Sequence, residues 1–409
     1  MRLIRLSTNY PAYLAEFYAR QPTLAFAPFE VQHAALMGDC FGWSDFWTRH
    51  LSNLGYTAWE PVANAEPQQK AWAKEHRVTW NEKRWLHDIT IAQVRHFSPD
   101  VVFVNDYSTF TSEFFLELRK ACPSIRFVVG WCGAPYQDGT VFEAYDLVLS
   151  NIPKLVKEFR SRGLVSQLFH HGFETAISAR LNPSDPPGVD FSFVGSLFKG
   201  NGMHNAREKL LTHLTSSTPL QIWADTHVPS QRDRQRLPFR KAVFDLTHAL
   251  ARVPGAQDIL KKIPEARRYL SMPARPSLDS FTDEHLRERC NPPVFGLAMY
   301  QRLASSLITL NTHIDLAANH ASNMRLFEAT GVGTCLLTEW QPDLHEYFKL
   351  DEEVVTYKSP EEAAEKVRYL LAHDSVRLGI AKAGQSRTHD DHGFNRRAMA
   401  LDAVIQAHI

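Results

Sequence analysis

The chain is poor in cysteine and has no C-x-x-C pair: Cys40, Cys122, Cys132, Cys290 and Cys335 are odd in number and scattered. That pattern argues against a disulfide framework and fits a reducing compartment. It also lacks long apolar runs; none approaches the ~20 consecutive apolar residues of a membrane span. Met1 to Arg20 carries arginines and tyrosines where a signal peptide would need an apolar core. A cytoplasmic protein is therefore expected, one that would meet any membrane-bound partner peripherally, at the inner face. Net charge is also missing. Forty-five lysines and arginines balance 45 aspartates and glutamates, so composition gives no case for a nucleic-acid partner.

What is present is ordinary globular composition, 44% hydrophobic and 22% charged, over 409 residues. That length exceeds one ordinary core and suits two domains. Short β-rich runs alternate with helical patterns. His33–Gly38, Thr57–Pro61, Asp100–Asn105, Ile125–Trp131 and Asp146–Ser150 read as strands. Trp43–Leu54, Gln68–His76, Trp80–Phe97, Thr111–Ala121 and Pro153–Arg162 read as helices. Strands without alternation are buried on both faces, and their alternation with helices implies a parallel, doubly wound sheet. Residues 1–30 form a lead-in with no assignment.

Pro183-Ser-Asp-Pro-Pro-Gly188 is the clearest linker, and the same grammar restarts beyond it. Phe191–Gly195, Leu220–Ala224, Leu307–Asn311, Thr334–Thr338 and Glu353–Tyr357 read as strands. Ala206–Leu214, Asn323–Thr330, Pro342–Phe348, 360–372 and 374–385 read as helices. The expected organisation is an α/β protein of two Rossmann-like domains facing a central cleft. Residues 1–182 form the first, 183–190 a hinge, and 191–390 the second, with a helical insertion at 226–296. Residues 391–409 form a last helix packing back on the first domain. Ligands of such folds bind at the carboxyl ends of the strands.

The chemistry concentrates in Ser322-Asn-Met-Arg-Leu-Phe-Glu-Ala-Thr-Gly-Val-Gly-Thr-Cys-Leu-Leu-Thr338. Ser322 is placed to cap a helix whose free N–H groups and dipole suit a phosphate. Arg325 adds a cationic fork in the first turn. Glu328, three residues on, shares its face and can accept hydrogen bonds from the two cis hydroxyls of a ribose. Gly331 and Gly333 turn the chain into the next strand. The segment reads as a helix tip addressing a diphosphate, with a ribose along its side.

This segment resembles the donor-binding motif of the GT-B glycosyltransferases. It is most similar to the spore-maturation-protein-like branch, whose wording is N-M-R-x-F-E-A-x-x-x-G-x-x-L-L-T. Asn323, Met324, Arg325, Phe327, Glu328, Ala329, Gly333 and Thr338 stand in matching places. Gln341–Phe348, Glu353–Tyr357 and Pro360-Glu361 continue the likeness. Phe191–Ser196, with Arg207 and Leu210, resembles the first strand and helix of the same domain, which is similar to that of family 4 glycosyltransferases. The resemblance implies that Glu328 holds the nucleotide ribose. It places Gly195 and Ser196 near the donor phosphates, and Asn323, Met324 and Arg325 at the diphosphate or sugar. Related retaining enzymes carry a second glutamate eight residues before the ribose-binding one. Here that position is His320, which can donate to a phosphate or a sugar hydroxyl.

The implied activity is transfer of a sugar from a nucleotide-diphosphate sugar to a glycan or glycolipid-type acceptor in cell-surface polysaccharide synthesis. The alternatives are a nucleotide-sugar epimerase or hydrolase on the same fold, and a non-catalytic nucleotide-sugar-binding protein. No cofactor is expected. The sequence has no D-x-D triplet, the usual metal–diphosphate clamp, which points to a metal-free site. His389-Asp-Asp-His392, read as a polar connection, lacks a third convincing metal ligand. Catalytic candidates are Asp39 after the first strand, Asp106 after the third, His171 before the hinge, and His320. Arg232–Lys241 reads most simply as a solvated helix face, with contact to an anionic acceptor or a membrane surface as the lesser reading.

Overall fold

The computed structural model describes residues 1–136, 138–182, 188–198, 204, 206–226, 228–253, 256–260, 263–270, 272, 275–276 and 282–409. Most of the expected hinge lies outside them; Val189, its first described residue but one, already begins a strand.

Two parallel six-stranded sheets organise the chain. The first contains β1 (Arg2–Leu6), β2 (Thr57–Trp59), β3 (Val101–Val104), β4 (Phe127–Trp131), β5 (Leu147–Ser150) and β6 (Ser166–Leu168), in the order β2-β1-β3-β4-β5-β6. The second contains β7 (Val189–Ser196), β8 (Leu220–Asp225), β9 (Cys290–Asn291), β10 (Ser306–Asn311), β11 (Cys335–Glu339) and β12 (Val355–Tyr357), in the order β12-β11-β10-β7-β8-β9. Every pairing between these strands is parallel. The central strands β3 and β4 are buried at every position, as a sheet covered on both faces requires.

The helices of the first half are α1 (Pro11–Arg20), α2 (Phe29–Gly38), α3 (Phe46–Ser52), α4 (Glu66–Glu75), α5 (Trp85–Phe97), α6 (Ser112–Ala121) and α7 (Pro153–Ser161). Those of the second half are α8 (Arg207–Ser217), α9 (Gln231–Leu250), α10 (Ala256–Leu260), α11 (Pro264–Leu270), α12 (Glu284–Glu288), α13 (Gly296–Ala304), α14 (Arg325–Gly331), α15 (Pro360–Ala372), α16 (Asp374–Asp391) and α17 (Phe394–Gln406).

Several expectations are corrected. The first strand is Arg2–Leu6, inside the segment left without an assignment. His33–Gly38 is the end of helix α2, so Asp39 follows a helix and not a strand. A short apolar run fits either element. Pro28 at the helix entry, and burial of Phe29, Gln32, Leu36 and Met37 at helical spacing, settle it here. Pro342–Phe348 tightens to a single 3₁₀ turn at Leu344–Glu346. His389, Asp390 and Asp391 end α16 and are not a connection.

The two halves share one continuous core. Trp47 and Phe103 of the first half and Phe327 and Leu336 of the second belong to a single buried cluster, with Phe173 and Phe394 between them. The chain crosses between the sheets after β6 and again between α16 and α17. The crossings are joined: Phe173 N donates to His392 O at 2.9 Å, and Phe394 N to Phe173 O at 2.9 Å. Gly331 must be glycine at this seam, because a Cβ there would run into the Phe173 ring. Helix α17 packs on α3 through Phe394 against Phe46 and Trp47, with ring centroids 5.1 Å apart in both pairs. Tyr56 adds a 2.6 Å hydrogen bond to Asp402.

Candidate functional site

The carboxyl ends of β7, β10 and β11 meet the start of α14. Asn311, the last residue of β10, donates to Thr338 Oγ1 of β11 at 2.8 Å. Asn323 donates in turn to Asn311 Oδ1 at 2.5 Å and to Thr312 O at 2.9 Å. This relay fixes the segment entering α14 against the sheet, and Asn323 Oδ1 is left buried without a partner. Such an acceptor is costly unless a ligand or water meets it.

Helix α14 begins at Arg325, with Met324 at its N-cap and no side-chain cap. Ser322 is therefore not the cap; its hydroxyl is buried and unpartnered. Arg325 and Glu328 meet at 2.9 Å, as their i,i+3 spacing demands. Arg325 also touches Met299 Sδ at 3.2 Å. Glu328 is buried beside the Tyr300 phenol, which burial and the Glu328 charge hold well above its ordinary pKa.

Arg207, at the start of α8, supplies the strongest electrostatic feature. Its side chain is 8% exposed, yet no carboxylate among the described residues reaches ion-pair distance. Instead Nε donates to Thr312 Oγ1 at 2.7 Å. The terminal nitrogens donate to Ser196 O at 2.8 Å and Thr312 O at 3.3 Å. The guanidinium lies over the Phe193 ring, 5.3 Å from its centroid. Burial, reinforced by the Arg325 charge, pushes its pKa down to about 9. Gly195 lies in the same corner, where a Cβ would press on the Phe193 ring at 2.9 Å. Gly195, Ser196, Asn323, Met324, Arg325 and Glu328 are thus brought to one end of the second sheet, around two arginines.

Histidines line the same end. His313 Nε2 contacts Glu339 O at 3.3 Å, and burial lowers its pKa to about 4. Burial and Arg207 lower His204 to about 3. Both rings are neutral at pH 7 and act as hydrogen-bonding groups, not cations. His320 Nδ1 stands 3.0 Å from Asp343 Oδ2, whose other oxygen accepts from Ala321 N at 2.8 Å. Before it, Ala318 and Asn319 hold φ of 43° and 71°, left-handed backbone at two successive non-glycine residues.

The remaining candidates lie on the first half or along the seam. His171 is buried between Trp131 and Trp43, 5.0 and 5.9 Å between centroids, with Nδ1 unpartnered and its pKa lowered to about 3 by burial. Asp39 reaches Arg20 at 3.4 Å, and burial raises its pKa despite that cation. It presses against Gly296 of α13, where φ is +54° and a Cβ would collide with the carboxylate. Asp106 differs. It accepts from Ser108 N at 2.8 Å, Ser108 Oγ at 2.7 Å, Thr109 N at 2.9 Å and Thr8 Oγ1 at 2.5 Å. Burial works to raise its pKa, but these bonds outweigh it and the pKa falls. Such a carboxylate ties the loop after β3 to the loop after β1, and its basicity is low.

Sequence reasoning left Arg207 and Asn151 off the candidate site. Asn151, just past β5, donates to Ser322 O across the seam, with its own Oδ1 buried and unpartnered. Its only signal is a polar residue between a strand end and the proline that opens a helix. A cavity of about 300 Å³ lies apart from all these residues, between α2, α3 and β2, lined by His33, Met37, Thr48, Trp59 and Glu60.

Residues 252–403 match a family described as glycosyl transferase-like. Among solved structures, sucrose-phosphate synthase from Thermosynechococcus elongatus superposes with a TM-score of 0.52 at 10% identity, covering 100% of this chain and 98% of that one. HepE from Anabaena, solved in complex with UDP and glucose, gives a TM-score of 0.52 at 10% identity with 100% of both chains covered. A glycosyltransferase from Rickettsia africae gives 0.51 at 10% identity, with 100% and 98% covered. No curated protein matches. At these identities the likeness is one of fold, and the fold is GT-B: two Rossmann-like α/β halves facing a cleft.

Proposed function

We propose that this protein is a glycosyltransferase that moves a sugar from a nucleotide-diphosphate sugar to a glycan or glycolipid-type acceptor, in cell-surface polysaccharide synthesis and without a metal ion. One observation carries the reading. Arg207 is a buried cation that no carboxylate among the described residues meets at ion-pair distance, beside Arg325 at the strand ends where this fold binds ligands. An isolated buried charge is unfavourable unless an anion meets it. A diphosphate spanning the two arginines answers that need and takes the place of a D-x-D-bound metal. The match at 252–403 to a glycosyl transferase-like family supports the same reading, as does a fold shared with a protein solved with UDP and glucose.

In this scheme Glu328 accepts hydrogen bonds from the ribose hydroxyls. Arg207, Arg325 and the unpartnered Ser322 hydroxyl hold the diphosphate, and Asn323 Oδ1, an acceptor, takes a hydrogen bond from a sugar hydroxyl. As the glycosidic bond to the leaving phosphate breaks, an oxocarbenium-like sugar and a more negative diphosphate develop together. The arginines stabilise that charge where it appears. His320, oriented by Asp343, stands in the donor loop to hydrogen-bond the sugar or phosphate. Asp39, a seam carboxylate of raised pKa, is the first-half candidate for taking the acceptor hydroxyl proton.

Calorimetry with a panel of nucleoside diphosphates and nucleotide sugars tests the proposal. Binding of at least one, with turnover that requires an acceptor and survives a chelator, is expected. Conversion of the donor alone would replace transfer by epimerisation or hydrolysis. Absence of binding across the panel would end the proposal.

A further inference from the structure

The insertion after β8 carries none of the candidate site residues, and its long helix exposes both apolar and basic side chains. Helix α9 opens with a full capping box: Ser230 accepts from Asp233 N at 3.1 Å, and the Asp233 carboxylate accepts from Ser230 N at 3.0 Å. Its inner face lies on α11, with His248 Nε2 3.3 Å from Tyr269 O. Among the described residues, none from 226 to 282 joins any of the hydrophobic cores. The helix therefore stands on the second domain as an appendage.

Its outer face is apolar where solvent should make it polar. Phe239 is 70% exposed, Leu246 60%, and Leu250 and Val253 are exposed as well. At 100° per residue, positions 239, 246 and 250 fall within a narrow stripe, and Ala242 and Ala249 border it. Basic residues frame the stripe. Between 231 and 253 stand six (Arg232, Arg234, Arg236, Arg240, Lys241 and Arg252) against two acids, Asp233 and Asp245, in a chain whose total charge is zero. Arg232 and Arg236 lie on the Phe239 side of the helix, exposed.

We propose that α9 is an interfacial helix that docks the protein on an anionic phospholipid surface. Phe239, Leu246 and Leu250 enter the headgroup boundary, while the arginines extend to lipid phosphates. The excess of like charge along the stripe is what selects lipid over a second copy, because parallel pairing of two such helices would oppose arginine to arginine. The helix also leaves the fold at the rim that carries the site: β8 ends at Asp225, which accepts from Leu197 N at 3.1 Å beside Ser196. Docking would hold that rim near the bilayer. That a lipid-linked acceptor is what benefits rests on the proposed function; the docking itself does not.

The test is flotation of the full chain with vesicles of phosphatidylcholine alone and of phosphatidylcholine mixed with phosphatidylglycerol. Flotation is expected only with the anionic vesicles, and it should weaken as salt is added. F239E/L246E should lower vesicle affinity on the order of a hundredfold or more. R232Q/R236Q should lower it roughly thirtyfold. All four side chains are exposed, so unchanged thermal melting shows the variants fold, and nucleoside diphosphate binding should not change. Absence of flotation, or flotation that F239E/L246E leaves intact, overturns the proposal. So does a dimer in sedimentation equilibrium that F239E/L246E dissociates, which would make α9 a self-association helix. Failure of nucleotide binding with flotation intact would fault the proposed function alone.

Discussion

Replacing Arg207 by methionine separates an anion site from a structural strut, because the two roles change stability and affinity differently. Methionine keeps much of the aliphatic volume against the Phe193 ring and removes the charge. The unliganded protein loses three hydrogen bonds, to Thr312 Oγ1, Ser196 O and Thr312 O. At ~0.5–1.5 kcal/mol each, that is a loss of about 2–4 kcal/mol. Against it stands relief from burying a cation without a carboxylate partner, about 1–4 kcal/mol by analogy with apolar replacements of buried charges. The two are of similar size and opposite sign, so urea unfolding of the unliganded R207M variant should stay within about 2 kcal/mol of wild type.

Affinity should not stay. A charge-assisted bond to a phosphate is worth ~1.5–3 kcal/mol, so the tightest-binding nucleoside diphosphate should lose about 10- to 150-fold by calorimetry. The matching nucleoside, without phosphates, should lose nothing. An R207M variant that unfolds about 3 kcal/mol more easily, yet binds the diphosphate within about twofold of wild type, would refute the reasoning and leave Arg207 as a strut.

Glu328→Ala should weaken nucleoside diphosphate binding about 10- to 100-fold, and removal of the ribose 2′-hydroxyl should cost wild type the same while costing the variant nothing further; equal losses in both proteins would remove the ribose assignment. Acid should begin to destabilise the protein as pH falls below about 6.5. His313 has its pKa lowered to about 4 from 6.5, so it stays neutral when folded while the unfolded chain protonates. Its contribution is complete above pH 6.5 and fades as pH falls towards 4, by about 3 kcal/mol in all. Urea midpoints of wild type and His313→Gln between pH 7 and 4 should therefore converge on the acid side, and parallel curves would contradict this. Ala318→Gly should raise stability by up to about 1 kcal/mol, because φ of 43° opposes a Cβ. Chemical denaturation reads that gain, and a loss would show the loop's strain is absent.

The order of elements was legible because strands such as Val101–Val104 and Leu147–Ser150 are continuous apolar runs, the mark of a sheet covered on both faces. Two elements misled for opposite reasons. β1 hides because Arg5 interrupts its pattern, and only the folded chain brings Glu60 from the end of β2 to pair with that buried guanidinium. His33–Gly38 resembles a strand because six residues are too few to separate a period of two from one of 3.6. In the site, Glu328 and Arg325 were readable because their partnership is local, three residues apart on one helix. Arg207 and Asn151 were not. Their meaning comes from partners more than 100 residues away, Thr312 for one and Ser322 for the other.

The helix after Gly393 bears on how the protein is made. Phe394, Ala398, Leu401 and Ile405 belong to the same core as Trp47 and Phe103, and Tyr56 reaches Asp402 across 346 positions of sequence. During synthesis the first sheet therefore emerges from the ribosome with the α3 surface bare, and stays so while the whole second domain is translated. At roughly 5–20 residues per second that interval lasts tens of seconds or less. Phe46 and Trp47 are the surfaces left uncovered, which makes them the places where a chaperone would be needed most and where a truncated chain would aggregate first.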